Sequence, residues 1–103
     1  MKLLVLSCAE QEFAEAVDYH NKQCPGLGYE FAAEVQRAFK RIRRHPSAWP
    51  IFSVRARRCL TDRFPYGLFH QVRNDCILVG AVMHLKRDPQ AWLDRVGDAF
   101  AEQ

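Results

Sequence analysis

His84, Arg87 and Arg58 are of residue types able to handle a phosphate group. An imidazole titrates near neutral pH, so His84 can give or take a proton without special tuning. Guanidinium groups grip phosphate oxygens through forked hydrogen bonds, a part open to Arg58 and Arg87. Arg57, Arg73 and Lys86 add cations that can hold nucleic acid or another target. His84 opens the cluster His84-Leu-Lys-Arg-Asp88, where a long apolar run stops. Polar groups at the end of a buried strand are held rigidly, which suits binding or chemistry. Plainer roles stand beside these. His84 can bond backbone or Asp88, and Arg87-Asp88 can form a local ion pair and helix cap.

The charge pattern points the same way. Residues 1–36 carry two basic and six acidic side chains, a net −4, whereas residues 37–87 carry twelve basic and two acidic, a net +10. A block of that sign suits a polyanionic partner, either nucleic acid or an acidic protein segment, while a solvated helix face is the bland alternative. The cysteines (Cys8, Cys24, Cys59, Cys76) are 16, 35 and 17 residues apart, without the close pair that marks a zinc site. Neither a metal nor a disulfide is expected, and no residue pattern calls for a small-molecule cofactor.

The elements that must position these residues follow from periodicity. Met1 to Cys8 is an apolar run too short for a signal peptide, and it reads as a first strand over 2–8. No segment approaches the roughly 20 apolar residues that span a bilayer, so no membrane partner and a cytoplasmic location are expected. From about Glu10 to Gln23, Phe13, Ala16/Val17 and His20 form a helical stripe that Pro25-Gly26 ends. A second helix over 27–44 faces inward with Leu27, Phe31, Val35 and Ile42. Its outer face carries Arg37, Lys40, Arg41, Arg43 and Arg44, cations that also suit a helix C-terminus.

Strands are expected at about 51–54, 56–62, 66–73 and 76–84, the last apolar on both faces and so central. Tyr66 and Phe69 fall on opposite faces, so at least one should be partly exposed. Asp88-Pro89 starts a C-terminal helix, with Trp92, Val96 and Phe100 recurring every four residues. Strand, helical hairpin, then antiparallel strands is an α+β order, with residues 1–103 as one domain.

Three stretches carry a resemblance: CPGLGYEF (Cys24 to Phe31), the Arg57-Arg58 pair, and FPYGLFHQVRNDCILVGAVMHLKRDPQAW (Phe64 to Trp92). In that order they resemble the RelE/ParE family of bacterial type II toxins. The resemblance implies an α+β fold, a helical hairpin packed on an antiparallel sheet. It also implies a growth inhibitor of the plasmid-stabilising kind, silenced by a cognate antitoxin whose acidic segment folds onto the toxin.

Two activities occur in the family. RelE-like members cut ribosome-bound mRNA by driving the ribose 2′-OH onto the adjacent phosphate, with lysines, arginines and a tyrosine or histidine as catalysts. Arg57, Arg58, Arg73, His84 and Arg87 occupy comparable places, and His84, Arg58 and Arg87 would be the catalytic set. However, arginine replaces the lysine pair of RelE proper, and no tyrosine follows the last strand. Arginine is a poor proton acceptor, so His84 would act nearly alone. ParE-like members instead bind DNA gyrase and trap its cleaved-DNA state, which needs no catalytic set. The expectation leans to that branch, with a non-toxic RNA- or protein-binding domain of the same fold as a third reading.

Overall fold

The computed structural model describes residues 1–101, in the order β1 (Lys2–Val5), α1 (Ser7–Gln23), α2 (Leu27–Arg44), β2 (Ile51–Ser53), β3 (Ala56–Leu60), β4 (Tyr66–Arg73), β5 (Cys76–His84) and α3 (Pro89–Ala101). The strands form one sheet in the order β1-β5-β4-β3-β2, which gives the doubly apolar β5 a neighbour on each side. The expected antiparallel sheet spans β2 to β5. β1 joins it parallel to β5, with Lys2 opposite Cys76 and Val5 opposite Val79. Arg73 pairs with Cys76, leaving Asn74-Asp75 as a two-residue turn in which Asn74 takes φ 52°, a value asparagine tolerates.

The bounds of α2, β4 and β5 are those expected. The first strand is shorter, ending at Val5 instead of running to residue 8. The Leu6 carbonyl accepts from the amides of Ala9 (2.9 Å) and Glu10 (3.0 Å), which turns the chain into α1 at Ser7. β2 and β3 also end early, because Val54-Arg55 forms their turn and Thr61 bonds across to Tyr66.

Helices cover both faces of the sheet. On one, Phe31, Val35, Ala38 and Ile42 of α2 bury Leu68, Ile77, Val79 and Val82. On the other, Trp92, Val96 and Phe100 of α3 bury Phe69, Ala81 and Met83. Burial of large apolar side chains on both sides removes apolar surface from water, the dominant favourable contribution to folding. It also corrects the expectation for β4: Tyr66 is 7% exposed and Phe69 fully buried, each under a different helical layer. Asp88 caps α3 as expected, its Oδ1 accepting from the Gln90 amide at 3.0 Å. No helix among the described residues is long and apolar enough to cross a membrane.

Two carboxylates, Glu34 buried and Glu12 half-buried, hold the sheet margins. Glu34 of α2 is 2% exposed, and its Oε1 accepts from the amides of Arg63 (2.5 Å) and Phe64 (3.3 Å), fixing the turn into β4. Glu12 of α1 guards a bulge in β5. Phe69 faces Ala81 and His70 faces Val79, so Gly80 has no residue opposite it. The freed Gly80 carbonyl accepts from Arg95 Nη2 at 3.1 Å, and the Val82 amide donates to Glu12 Oε1 at 3.0 Å. Arg95 and Glu12 complete the arrangement with two bonds of 2.9 and 2.7 Å. Gly80 is needed there, since a Cβ would lie 2.5 Å from the Phe100 ring.

Candidate functional site

β5 delivers His84 to the end of the sheet beside α1, opposite Tyr66 of β4. Their rings meet edge-on, centroids 5.1 Å apart. With Glu12, Glu15, Val82 and Arg87 they line a pocket of about 260 Å³. The Lys86 amide donates to His84 Nδ1 at 3.0 Å. An amide can only donate, so Nδ1 is the acceptor and the neutral ring keeps its proton on Nε2. In the neutral ring Nε2–H is therefore the hydrogen-bond donor. The alternative partner, Asp88, is occupied in capping α3.

Arg87 is exposed and forms no ion pair among the described residues. Burial and the Tyr19 phenol push the Tyr66 phenol above its ordinary range, and the Arg87 guanidinium pulls it back. Behind Tyr66 lies His20, ring centroids 5.7 Å apart, with a buried Nε2 that has no partner among the described residues. Burial, and next the nearby His84, hold the His20 imidazole below its usual pKa. The pocket thus gathers an imidazole (His84), a guanidinium (Arg87), a phenol (Tyr66) and the carboxylate of Glu15. Glu12 is committed to Arg95 and the bulge.

The remaining candidates lie elsewhere. Arg57 and Arg58 are consecutive on β3, so their side chains leave opposite faces of the sheet. Arg57 Nη1 donates to the Trp49 carbonyl at 2.7 Å, tying down the α2–β2 loop. Arg58 lies on the other face, its guanidinium 5.7 Å from the Phe52 ring and 5.4 Å from the Trp92 ring. Arg73 is at the opposite end of β4, about 23 Å from Tyr66 by strand rise. It is held by Gln71 Oε1 at 2.8 Å and the Phe100 carbonyl at 3.2 Å. Lys86 reaches His84 only through its main chain. Of the six candidates, the structure brings together His84 and Arg87.

His70 supports the same loop as Arg57. Its Nε2 bonds the Pro46 carbonyl at 2.9 Å, and the ring is fully buried beside Trp49. Burial lowers its pKa, the Pro46 bond opposes that, and the Arg57 charge adds to the lowering. The unfolded chain therefore binds this proton more readily, and stability falls as pH drops below the ordinary histidine value of 6.5. His20 acts in the same direction. The melting temperature is expected to decline from pH 7 to pH 5, and His70→Gln, which keeps a donor for Pro46, should flatten that decline. A wild-type melting temperature constant across the range would remove the assignment.

Glu15 and Tyr66 line the pocket, with His20 packed against Tyr66, and sequence reasoning assigned none of the three a functional role. Four free cysteines, two of them exposed, take no part in it.

Comparison with known proteins places the fold. No family model matches the sequence, and no curated protein matches it. Among solved structures, a chain described as "Chromosomal ParDE TA system from P. aeruginosa" superposes with a TM-score of 0.77 and 14% identity, covering 84% of this chain and 97% of that one. With so little shared sequence, the likeness speaks for architecture. That architecture is the ParE/RelE-like fold that the sequence resemblance implied.

Proposed function

We propose that this chain is the toxin of a bacterial type II toxin–antitoxin pair, and that it acts in the cytoplasm by binding its target, DNA gyrase, in the manner of ParE. The fold likeness to the ParDE chain supports the toxin reading. The distribution of the cations carries the binding reading. Arg57, Arg58 and Arg73 lie on different faces and ends of the sheet, and each is engaged with a carbonyl or an aromatic ring. RNA cleavage needs base, acid and phosphate clamp at one point, whereas a binding surface tolerates dispersal.

The antitoxin partner suits two features. An apolar groove of about 320 Å³ on α1, lined by Phe13, Ala14 and Val17, offers burial for a helix or strand. Glu10 and Asp18 also line that groove, so an acidic segment would be drawn instead to the strongly basic residues 37–87, with its apolar part in the groove. A second reading, RelE-like mRNA cleavage, is favoured by the grouping of His84, Tyr66, Arg87 and Glu15 around one pocket.

Inducible expression in a bacterial host, with and without the neighbouring gene, separates the readings. The gyrase reading expects stalled replication, an SOS response and intact transcripts, with growth restored by the neighbour. The purified chain should also inhibit DNA supercoiling. Early transcript cleavage that His84→Ala abolishes would replace it with the RelE reading. Normal growth would leave the fold and a binding role alone.

A further inference from the structure

A second cavity lies at the end of the sheet opposite His84. It measures about 660 Å³ and is lined by Val54, Arg55, Val72, Arg73, Asn74 and Phe100, with Gln71 in its wall. Both hairpin turns, Val54-Arg55 and Asn74-Asp75, meet the C-terminal turn of α3 here. Three non-glycine residues around it have positive φ: Val54 at 44°, Arg55 at 63° and Asn74 at 52°. For a β-branched valine that conformation is strained, and such strain persists only where the surroundings enforce it.

A chain of hydrogen bonds supplies the enforcement. The Gln71 amide, 5% exposed, donates to the Val54 carbonyl and accepts from Arg73 Nε at 2.8 Å. Arg73 then donates through Nη2 to the Phe100 carbonyl at 3.2 Å. The guanidinium is thus held in one orientation before any ligand arrives, while the Arg55 side chain is exposed beside it. Among the described residues, none that lines this cavity is a carboxylate. Beside the exposed Asn74, the rim presents two aliphatic side chains, Val54 51% and Val72 37% exposed.

We propose that this cleft binds an acidic peptide segment of a partner protein, with a carboxylate held by Arg55 and Arg73 and an apolar neighbour resting on Val54 and Val72. Forked guanidinium donors match a carboxylate, and a pre-oriented arginine loses less freedom on binding. Two exposed valines favour a peptide over single-stranded nucleic acid, whose bases stack on aromatic faces that this rim does not expose. The proposal stands whether or not the chain is a toxin, since it concerns a cleft remote from His84 and from the α1 groove.

The test is an amide chemical-shift titration of the purified chain with a capped Glu-Leu-Glu-Leu-Glu peptide and, separately, a short oligothymidylate. Saturable shifts at Val54, Arg55, Val72 and Asn74 with the peptide are expected. Arg55→Gln, an exposed turn residue, should weaken binding about tenfold at an unchanged melting temperature. Arg73→Lys, which keeps charge and loses the fork, should weaken it as well. Shifts confined to the Arg37–Arg44 stripe, tighter binding of the oligonucleotide at these same amides, or full affinity in Arg55→Gln would each overturn the proposal.

Discussion

Replacing Gly28 with alanine is expected to destabilise this chain by about 3 kcal/mol, read as a fall of roughly 12–24 °C in melting temperature. α1 and α2 cross so closely at Gly28 that a Cβ there would lie 2.2 Å from the Val17 carbonyl oxygen and 2.6 Å from Asn21 Cγ. The first contact is backbone, which cannot rotate away, so the helices must separate. Separation would also lengthen the 2.8 Å bond from the Gly28 amide to Asn21 Oδ1, which secures the start of α2. The hairpin carries Phe13, Phe31 and Val35 onto the sheet, so a shift at its tip propagates into the core. Gly97→Ala is the control. A Cβ at Gly97 meets nothing within 4 Å, and alanine in a helix interior gains up to about 1 kcal/mol over glycine. Thermal denaturation followed by circular dichroism should thus move in opposite directions for the two variants. A loss of less than about 4 °C for Gly28→Ala would mean that the hairpin adapts, and that the helix crossing is looser than its geometry implies.

The parts of this fold that sequence made legible are those whose pattern is local. The doubly apolar β5, the apolar β4 stopped by Asn74-Asp75 and the amphipathic stripe of α2 gave their own boundaries, as did the Asp88-Pro89 start of α3. The β1–α1 junction was not legible, because Leu6 is the N-cap residue and offers no capping side chain to mark the change. Nor was the burial of both Tyr66 and Phe69, which depends on α3 returning across the far face.

The candidate site divides in the same way. Arg57 and Arg58 were grouped by sequence, although the two-residue period of a strand already sends neighbours to opposite faces. Counting back from the Asn74-Asp75 turn with regular pairing sets Tyr66 opposite Met83. The bulge at Gly80 moves it to His84, and it takes the Phe100 contact and the Glu12–Arg95 pair to reveal that bulge. Glu15 reaches the pocket from α1, which no local pattern links to β5.

Glu12→Ala is expected to lower stability by about 3 kcal/mol and to loosen the end of β5 that carries His84. The Glu12 and Arg95 side chains are 17% and 21% exposed, so the loss of one leaves the other as a poorly solvated charge. Two further groups lose support at the same time. The Val82 amide no longer has its acceptor, and Arg95, freed from Glu12, is no longer held against the Gly80 carbonyl. A partly buried amide without a partner adds about 1–3 kcal/mol of its own, although the relaxed bulge can admit water and recover part of it. Arg95→Ala should have a comparable effect, and the double variant should be only slightly less stable than either single one. Such non-additivity is the mark of residues that act as one unit. Hydrogen exchange reports the local consequence, because the Val82 and His84 amides should exchange faster in Glu12→Ala than the amides of β3. If the double variant instead shows the sum of the single losses, then Glu12 and Arg95 act separately. The bulge would then be held by the Gly80–Phe100 contact, and the His84 pocket would not depend on the pair.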